Sequence, residues 1–380
     1  MYQEFVSKIC ERKYIKIIIS VVMSIKRQIC QFYTLACAKP SVRPTVLLCA
    51  VYIMKNGGIE KRLKQYSSVW EKKGYRVLWG AQMGNGAVDI FLTSCRLYNK
   101  YLLRIVSRVY GVNCIEFNVG GPPYSPPLDI KALNKYNIPV GIILHASAPN
   151  WRFDYLQEAS YVICSHKAHG KRVPELGKFP VLPNAVITRS ACWKWREQKE
   201  ALLVSRICYD KRSSIEGFIC LCQAWGIPFR IAGDLTDTEN IKLKHELLSK
   251  FNLHKEIFLG KINTEEFLQR SWDRFLFVAG VGQVILEAGQ LNYPCLVASL
   301  LGKSTSFWVT KENIYRVLDY NCSPHDEAEC KLLKQGQNLN ECLRDILAGN
   351  TGRFAIGDVI NKECCLDTCL ARYEKIITPH

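Results

Sequence analysis

The chain reads as an α/β protein built of two Rossmann-like halves, and three observations predict it. Short apolar runs, of the kind expected for strands buried on both faces, recur from Thr45 to Ala298. They alternate with amphipathic stretches of helical period, the rhythm of βαβ units in a parallel sheet covered by helices. The rhythm pauses near residues 185–200 and then resumes, and a length of 380 residues suits two domains.

Each element follows from its residues. Thr45 to Met54 (TVLLCAVYIM) is a near-continuous apolar run and predicts a buried strand that ends at Gly57-Gly58. Ile59 to Lys73 has helical period and closes at Gly74, and Tyr75 to Trp79 is the next strand. Further strands are expected at Asn113–Val119, Pro139–Leu144, Tyr161–Ser165 and, briefly, Val181–Pro183. In the second half, strands are expected at Ala201–Ser205, Phe229–Ala232, Ile257–Leu259, Arg274–Val278 and Pro294–Ala298. Helices are expected around Ile215–Trp225, Glu239–Phe251 and Val284–Asn292. The domains are therefore drawn as an extension at 1–40, a first domain at 41–190, a second at 191–345, and closing helices at 346–380.

Composition narrows the class. Apolar residues make up 48% and charged residues 22%, which excludes a disordered, collagen-like or low-complexity chain. No apolar run reaches the ~18 residues of a membrane-spanning helix. The net charge of +17 is unevenly placed: residues 1–40 hold 7 basic and 2 acidic residues, 41–190 hold 20 and 8, and 191–380 hold 24 of each. The whole excess lies in the first half, a field that attracts anionic lipid, polyphosphate or nucleic acid. Nucleic acid is the weakest of these, because no basic and aromatic interleaving or known module is present. The 18 cysteines show no recurring C-x-x-C pair. Cys364, Cys365 and Cys369 lack a partnering His, and Cys322, His325 and Cys330 form a loose trio, so reduced, mostly buried thiols are expected and no metal site.

Residues 1–40 read as an appendage. Ile15, Ile18, Ile19, Val22, Ile25 and Ile29 recur at helical spacing among Lys13, Lys16, Lys26 and Arg27. A basic amphipathic helix on a membrane surface and a helix packed on the domain both satisfy that pattern. A secretory signal, for which Ala36-Cys37-Ala38 would be the cleavage site, fits less well because two charges follow a short apolar stretch.

Four places carry chemistry. Gly57-Gly58, between strand and helix, allows backbone amides to approach an anion, although it is neither a G-x-G-x-x-G fingerprint nor a Walker loop. His145 ends the run Val140 to Leu144, at the carboxyl edge of a strand where ligands of such sheets bind. Arg206 and Lys211 follow the strand Ala201–Ser205; a guanidinium fork and an ammonium on one loop suit a diphosphate, or else form solvated surface. Gly280 to Ala288 (GVGQVILEA) is a glycine-bearing strand-to-helix turn, with Glu287 in an otherwise apolar helix. That carboxylate needs either a ribose diol or a structural Arg or Lys as partner.

In this order the stretches resemble the family 4 glycosyltransferases, retaining enzymes of the GT-B fold, from about residue 45 to the end. The resemblance is carried by LLVSR…K (Leu202 to Lys211), FRIAG (Phe229 to Gly233), IFLGKI (Ile257 to Ile262) and GQVILEAGQLNYPCLVAS (Gly282 to Ser299). NGGIEKRL (Asn56 to Leu63), YVICSH (Tyr161 to His166) and LPNAV (Leu182 to Val186) support it upstream. It implies two Rossmann-like domains facing a central cleft, and a UDP- or GDP-type nucleotide-sugar held by the second domain, with no cofactor and no metal. Arg206 and Lys211 would bind the diphosphate and neutralise the leaving group. Glu287 would accept from the ribose hydroxyls, and Gly282, Gln283 and Val284 would offer backbone groups to phosphate and sugar. Gly58 would close the site from the first domain, and His145 would face the transferred sugar or the acceptor. One departure stands out. The family pattern has two glutamates; Glu287 matches the second, and Ala279 occupies the place of the first, in a shortened loop.

With the basic first half, the resemblance implies a lipid-linked saccharide acceptor at an anionic membrane surface, as in lipopolysaccharide, O-antigen or capsule assembly, on the cytoplasmic face. A nucleotide-sugar epimerase of the same fold, and an inactive transferase-like scaffold bound to anionic membrane or polyanion, are the alternatives. The closing stretch Cys369 to Ile377 is expected to cross back onto the first domain.

Overall fold

The structure, a computed structural model, describes residues 26–28, 30–31, 34–35, 43–53, 58–84, 88–119, 128–145, 153–197, 199–299 and 305–377. Twelve strands are present among them: β1 Thr45–Ile53, β2 Arg76–Gly84, β3 Ile90–Phe91, β4 Val112–Val119, β5 Val140–Leu144 and β6 Tyr161–Cys164, then β7 Glu200–Val204, β8 Phe229–Ala232, β9 Phe258–Gly260, β10 Phe275–Gly280, β11 Cys295–Val297 and β12 Phe307–Val309. They form two six-stranded sheets, ordered β3-β2-β1-β4-β5-β6 and β12-β11-β10-β7-β8-β9. Numbered within its own half, each sheet follows the same doubly wound order, with the first and fourth strands at its centre. The chain divides into two compact units, one reaching Ile163 and taking in the end from Ile376, the other running Cys164–Lys375.

In the first unit the central strand β1 pairs in parallel with β2 and β4, and β4 with β5. Its burial is nearly continuous, as its unbroken apolar run requires. The helix Gly58–Lys72 follows β1, with Glu60 in its first turn and Lys72 in its last, the signs that favour the helix dipole. Helical residues 26–28, 30–31 and 34–35 precede the sheet. Gln31 there exchanges two hydrogen bonds with the backbone of Phe91 on edge strand β3, at 2.6 and 3.3 Å, and Arg27 lies 4.4 Å above the Phe91 ring. This piece of the N-terminal extension therefore packs on the sheet edge. Ile15 to Ile25, Ile29, Ala36-Cys37-Ala38 and Gly57 lie outside the described residues.

In the second unit β7, β8, β9, β10 and β11 run parallel, and β12 turns back antiparallel to β11. One face of this sheet packs Leu203, Ile219, Phe277, Ala279 and Trp308 together; the other packs Leu202, Val278, Ile285, Tyr293 and Phe307. Residues 164–190 and the helices Gly357–Glu363 and Leu366–Ile377 group with this unit up to Lys375, rather than dividing near residues 190 and 345. Side chains explain the grouping. Arg172 grips Glu329 through two hydrogen bonds of 2.7 and 2.9 Å, Asn184 bonds Asn321 at 2.9 Å, and Ile356, Ile360 and Cys364 complete the second core. Instead of the short strand expected at Val181–Pro183 there is a single bridge from Cys164 to Val181.

Candidate functional site

The residues expected to hold the donor converge within the second unit. Strands β7 and β10 are parallel neighbours, with Leu202 opposite Val278 and Leu203 opposite Ala279. Their carboxyl ends therefore open at the same sheet edge, and the loops that follow them carry Arg206, Lys211 and the Gly282 turn.

Past β7, Ser205 stays fastened to the sheet through its amide, which donates to Ala232 at 3.0 Å. Arg206 then leaves the sheet with its side chain 65% exposed and meets Asp210 at 3.2 Å. An exposed pair of this kind is worth at most ~1 kcal/mol, so Arg206 can leave Asp210 at little cost. Lys211 closes the short turn Tyr209–Lys211, its amide donating to the Cys208 carbonyl at 2.9 Å. Its ammonium is held below the ordinary lysine range, first by loss of solvent and then by the Arg206 charge, against which Asp210 acts. Burial also pushes the Cys208 thiol up to about 11. Two cations with one shared counter-ion, one of them short of solvent, form a place where an added anion is favoured.

Past β10 the chain turns within two residues, Val281 and Gly282. A side chain at Gly280 would meet Val284 Cγ1 at 2.6 Å and the Val204 carbonyl at 3.0 Å, so glycine lets the helix Gln283–Gly289 start directly against the ends of β10 and β7. Gly282 has φ +61°, a conformation that favours glycine. Its amide donates to the Cys322 carbonyl at 3.0 Å and its carbonyl accepts from Ile285 at 3.1 Å. The Gly282 N–H is thus committed to the chain itself. Gln283 turns its side-chain amide onto the Ala185 carbonyl at 3.1 Å, which leaves its backbone and that of Val284 as the turn's remaining groups. Glu287 lies one turn further on, 5% exposed.

Ala279 is fully buried as the penultimate residue of β10, opposite Leu296 and Leu203. Its methyl group belongs to the apolar layer with Leu203, Ile219 and Phe277. A carboxylate at this position would enter the core and not the sheet edge. The two-residue turn supplies no alternative place for one.

In the first unit, Gly58 opens the helix after β1 and His145 directly follows β5. Both lie at the carboxyl edge of the sheet, separated by the end of β4. His145 is fixed twice: its amide donates to the Val119 carbonyl at 2.8 Å, and its Nε2 lies 2.9 Å from Asn118 Oδ1. Asn118 is itself fully buried, and its Nδ2 donates to the Cys49 carbonyl at 3.4 Å. With the amide nitrogen used in that way, Asn118 Oδ1 is the acceptor and His145 carries its proton on Nε2. Asn118 was not singled out from the sequence; an Asn one residue from the end of a buried strand is the signal that would have found it.

The segment after the Tyr320 turn, of which the sequence shows only the loose trio Cys322, His325 and Cys330, lies against the Gly282 turn as well. It supplies the Cys322 carbonyl to Gly282. It also carries His325, whose amide donates to Glu329 at 2.7 Å and whose imidazole is held below the ordinary range by loss of solvent, then by Arg172, with Lys211 adding to it. Among the described residues no group of three or more His, Cys, Asp or Glu side chains is arranged to hold a metal ion, and no helix is long and apolar enough to cross a membrane.

No protein-family model matches the chain, and no curated protein matches it in sequence. Solved structures do match it. Two of the most similar are a glycosyltransferase from Rickettsia africae ESF-5 and the apo form of the lipopolysaccharide outer core galactosyltransferase WaaB. The first shares 14% identity over 89% of this chain and 100% of its own, with a TM-score of 0.59. The second shares 10% identity over 88% and 99%, with a TM-score of 0.56. At that identity the likeness defines the fold, which is GT-B, with two Rossmann-like domains.

Proposed function

We propose that the chain is a retaining glycosyltransferase that moves a sugar from a UDP- or GDP-type nucleotide-sugar to a membrane-linked saccharide. The observation that carries this reading is the convergence of Arg206, Lys211, the Gly282 turn and Glu287 at the ends of two neighbouring parallel strands. In a transfer reaction, negative charge accumulates on the departing diphosphate. Arg206 releases Asp210 and, with Lys211, neutralises that charge without a metal; an electrostatic contribution of this sort is commonly the largest in such chemistry. Glu287 accepts from the ribose diol. Glycosyltransferases among the structural neighbours support the class, and WaaB, a lipopolysaccharide galactosyltransferase by name, is in keeping with a surface-polysaccharide acceptor. His145, held by Asn118 at the carboxyl edge of the first sheet, is assigned to handling the acceptor. The basic first half is in keeping with a peripheral protein on the cytoplasmic face of the membrane, acting on a lipopolysaccharide, O-antigen or capsule precursor.

A transferase-like scaffold without turnover is the second reading, favoured by Ala279 standing in the core. Calorimetric titration with UDP, GDP, CMP and their common sugar conjugates, beside Arg206→Ala, tests the first. Saturable binding of one nucleotide family, lost in the variant, is expected; a folded protein that binds none of them overturns it.

A further inference from the structure

The helix Arg96–Tyr110 has one face too many. Asn99, Leu102, Leu103 and Val106 fasten it to the first sheet and are buried. On the side away from them, Leu97, Tyr101 and Ile105 follow one another at four-residue spacing and are 61%, 52% and 38% exposed. Residues four apart stack along a single helix face. Exposed apolar side chains scattered singly need no explanation, but three in register make a continuous ridge. A second row runs beside it: Arg96, Lys100, Arg104 and Arg108, again four apart, and the helix contains no Asp or Glu. Lys100 lies 3.9 Å from Asp129, and Arg104 lies 4.8 Å above the Tyr136 ring, so these two are directed along the helix margin; Arg108 is exposed.

We infer that this helix is the protein's docking surface for anionic lipid, lying flat in the headgroup layer. Charge selects that occupant. A second copy of the chain pairing ridge to ridge would set one basic row against another. An anionic surface complements both rows at once, with Leu97, Tyr101 and Ile105 at the acyl boundary and the guanidinium and ammonium groups among phosphates. Tyr101 suits the boundary, since its ring is apolar and its hydroxyl reaches water. The surrounding field has the same sign: the first unit holds 22 basic against 9 acidic residues. The inference names the surface behind the membrane-linked acceptor of the reading above, and it uses no residue of the donor site.

The test is co-sedimentation of the full-length protein with vesicles of phosphatidylcholine alone and with added phosphatidylglycerol. Wild type is expected to sediment with the anionic vesicles, and Leu97→Ser/Tyr101→Ser/Ile105→Ser to partition about tenfold less or weaker still. Arg104→Gln/Arg108→Gln, which leaves the ridge intact, is expected to weaken binding at least about fivefold and to flatten its salt dependence. Nucleotide binding by the same samples is expected to be unchanged, so a failed docking surface and a failed donor site give different results. The inference is overturned if both variants sediment like wild type or if wild type ignores anionic vesicles. It is equally overturned if the ridge substitutions change the oligomeric state on gel filtration and leave lipid binding alone.

Discussion

The two units share a strand order and differ in what they do with charge. In the first unit there are 22 basic residues and 9 acidic ones, and among the described residues Arg43, Lys64, Lys72, Arg76, Arg96 and Arg108 are exposed. In the second, 29 face 25, and charge is spent on geometry. There Arg172 is locked on Glu329, Arg230 and Arg274 share Glu200, and Arg212 bridges Glu216 and Glu246. Against that compensated background, Arg206 and Lys211 stand out at the sheet edge with only Asp210 between them. The lesson is that net charge locates a surface, whereas a site is located by cations left over after structural pairing.

The largest effect expected from breaking this arrangement comes from Ala279→Glu. A carboxylate there is buried among Leu203, Ile219 and Phe277, and its desolvation is not repaid. Thermal melting should show the variant grossly destabilised or unfolded, with no gain in turnover; a stable, faster enzyme would contradict the placement of Ala279. Next in size is Glu329→Ala. It strands the Arg172 guanidinium, whose side chain is 10% exposed, and should cost about 3–5 kcal/mol by denaturant unfolding. Because that pair is structural, the surviving folded fraction should still bind nucleotide.

Lys211 sharpens the comparison through pH. Its pKa is lowered, so as pH rises its charge is lost before that of an ordinary lysine. Donor affinity should therefore decline on the alkaline side in wild type and hold in Lys211→Arg, whose guanidinium stays charged. For stability the sign is opposite. A lysine whose folded pKa is depressed opposes folding while protonated, and that penalty fades as pH rises through the folded pKa toward the unfolded one. Titration calorimetry across that range separates the two, since binding an anion raises the lysine pKa again and takes up a proton. Smallest is Gln31→Ala, which removes two hydrogen bonds to Phe91 and should lower stability by about 1–2 kcal/mol. A chemical-denaturation curve unchanged from wild type would show that the N-terminal helical residues add nothing to the first sheet.

Much of the fold was legible because burial on both faces leaves a plain mark. The runs behind β1, β5 and β10 are apolar nearly without interruption, and the structure puts strands there within a residue or two; β4 and β8 also stand where expected, although Asn113, Glu116, Asn118 and Arg230 interrupt them. The helix Arg96–Tyr110 was missed for the same reason that makes it interesting. Apolar residues on two faces blur the single stripe that signals a helix, and Cys95 supplies no side-chain cap. Strand β3 is two residues long, and β12 depends on its antiparallel partner, so neither has a local signature. At the candidate site, Arg206, Lys211 and Glu287 are proposed from position along the chain. Asn118, the Cys322 carbonyl and the Arg172–Glu329 clamp were not legible there, because each acts on a residue far away in sequence. The resemblance has Gly282 offer backbone groups to phosphate and sugar; its amide instead donates to the Cys322 carbonyl at 3.0 Å.

The central claim is that the second unit holds the nucleotide. Hydrogen exchange followed by mass spectrometry, with and without the nucleotide that binds, tests it directly. The account predicts slowed exchange in the 205–211 and 281–287 segments and, in Arg206→Ala, the loss of that protection. Protection confined to the first unit, or unchanged exchange at both segments with nucleotide bound, would contradict it.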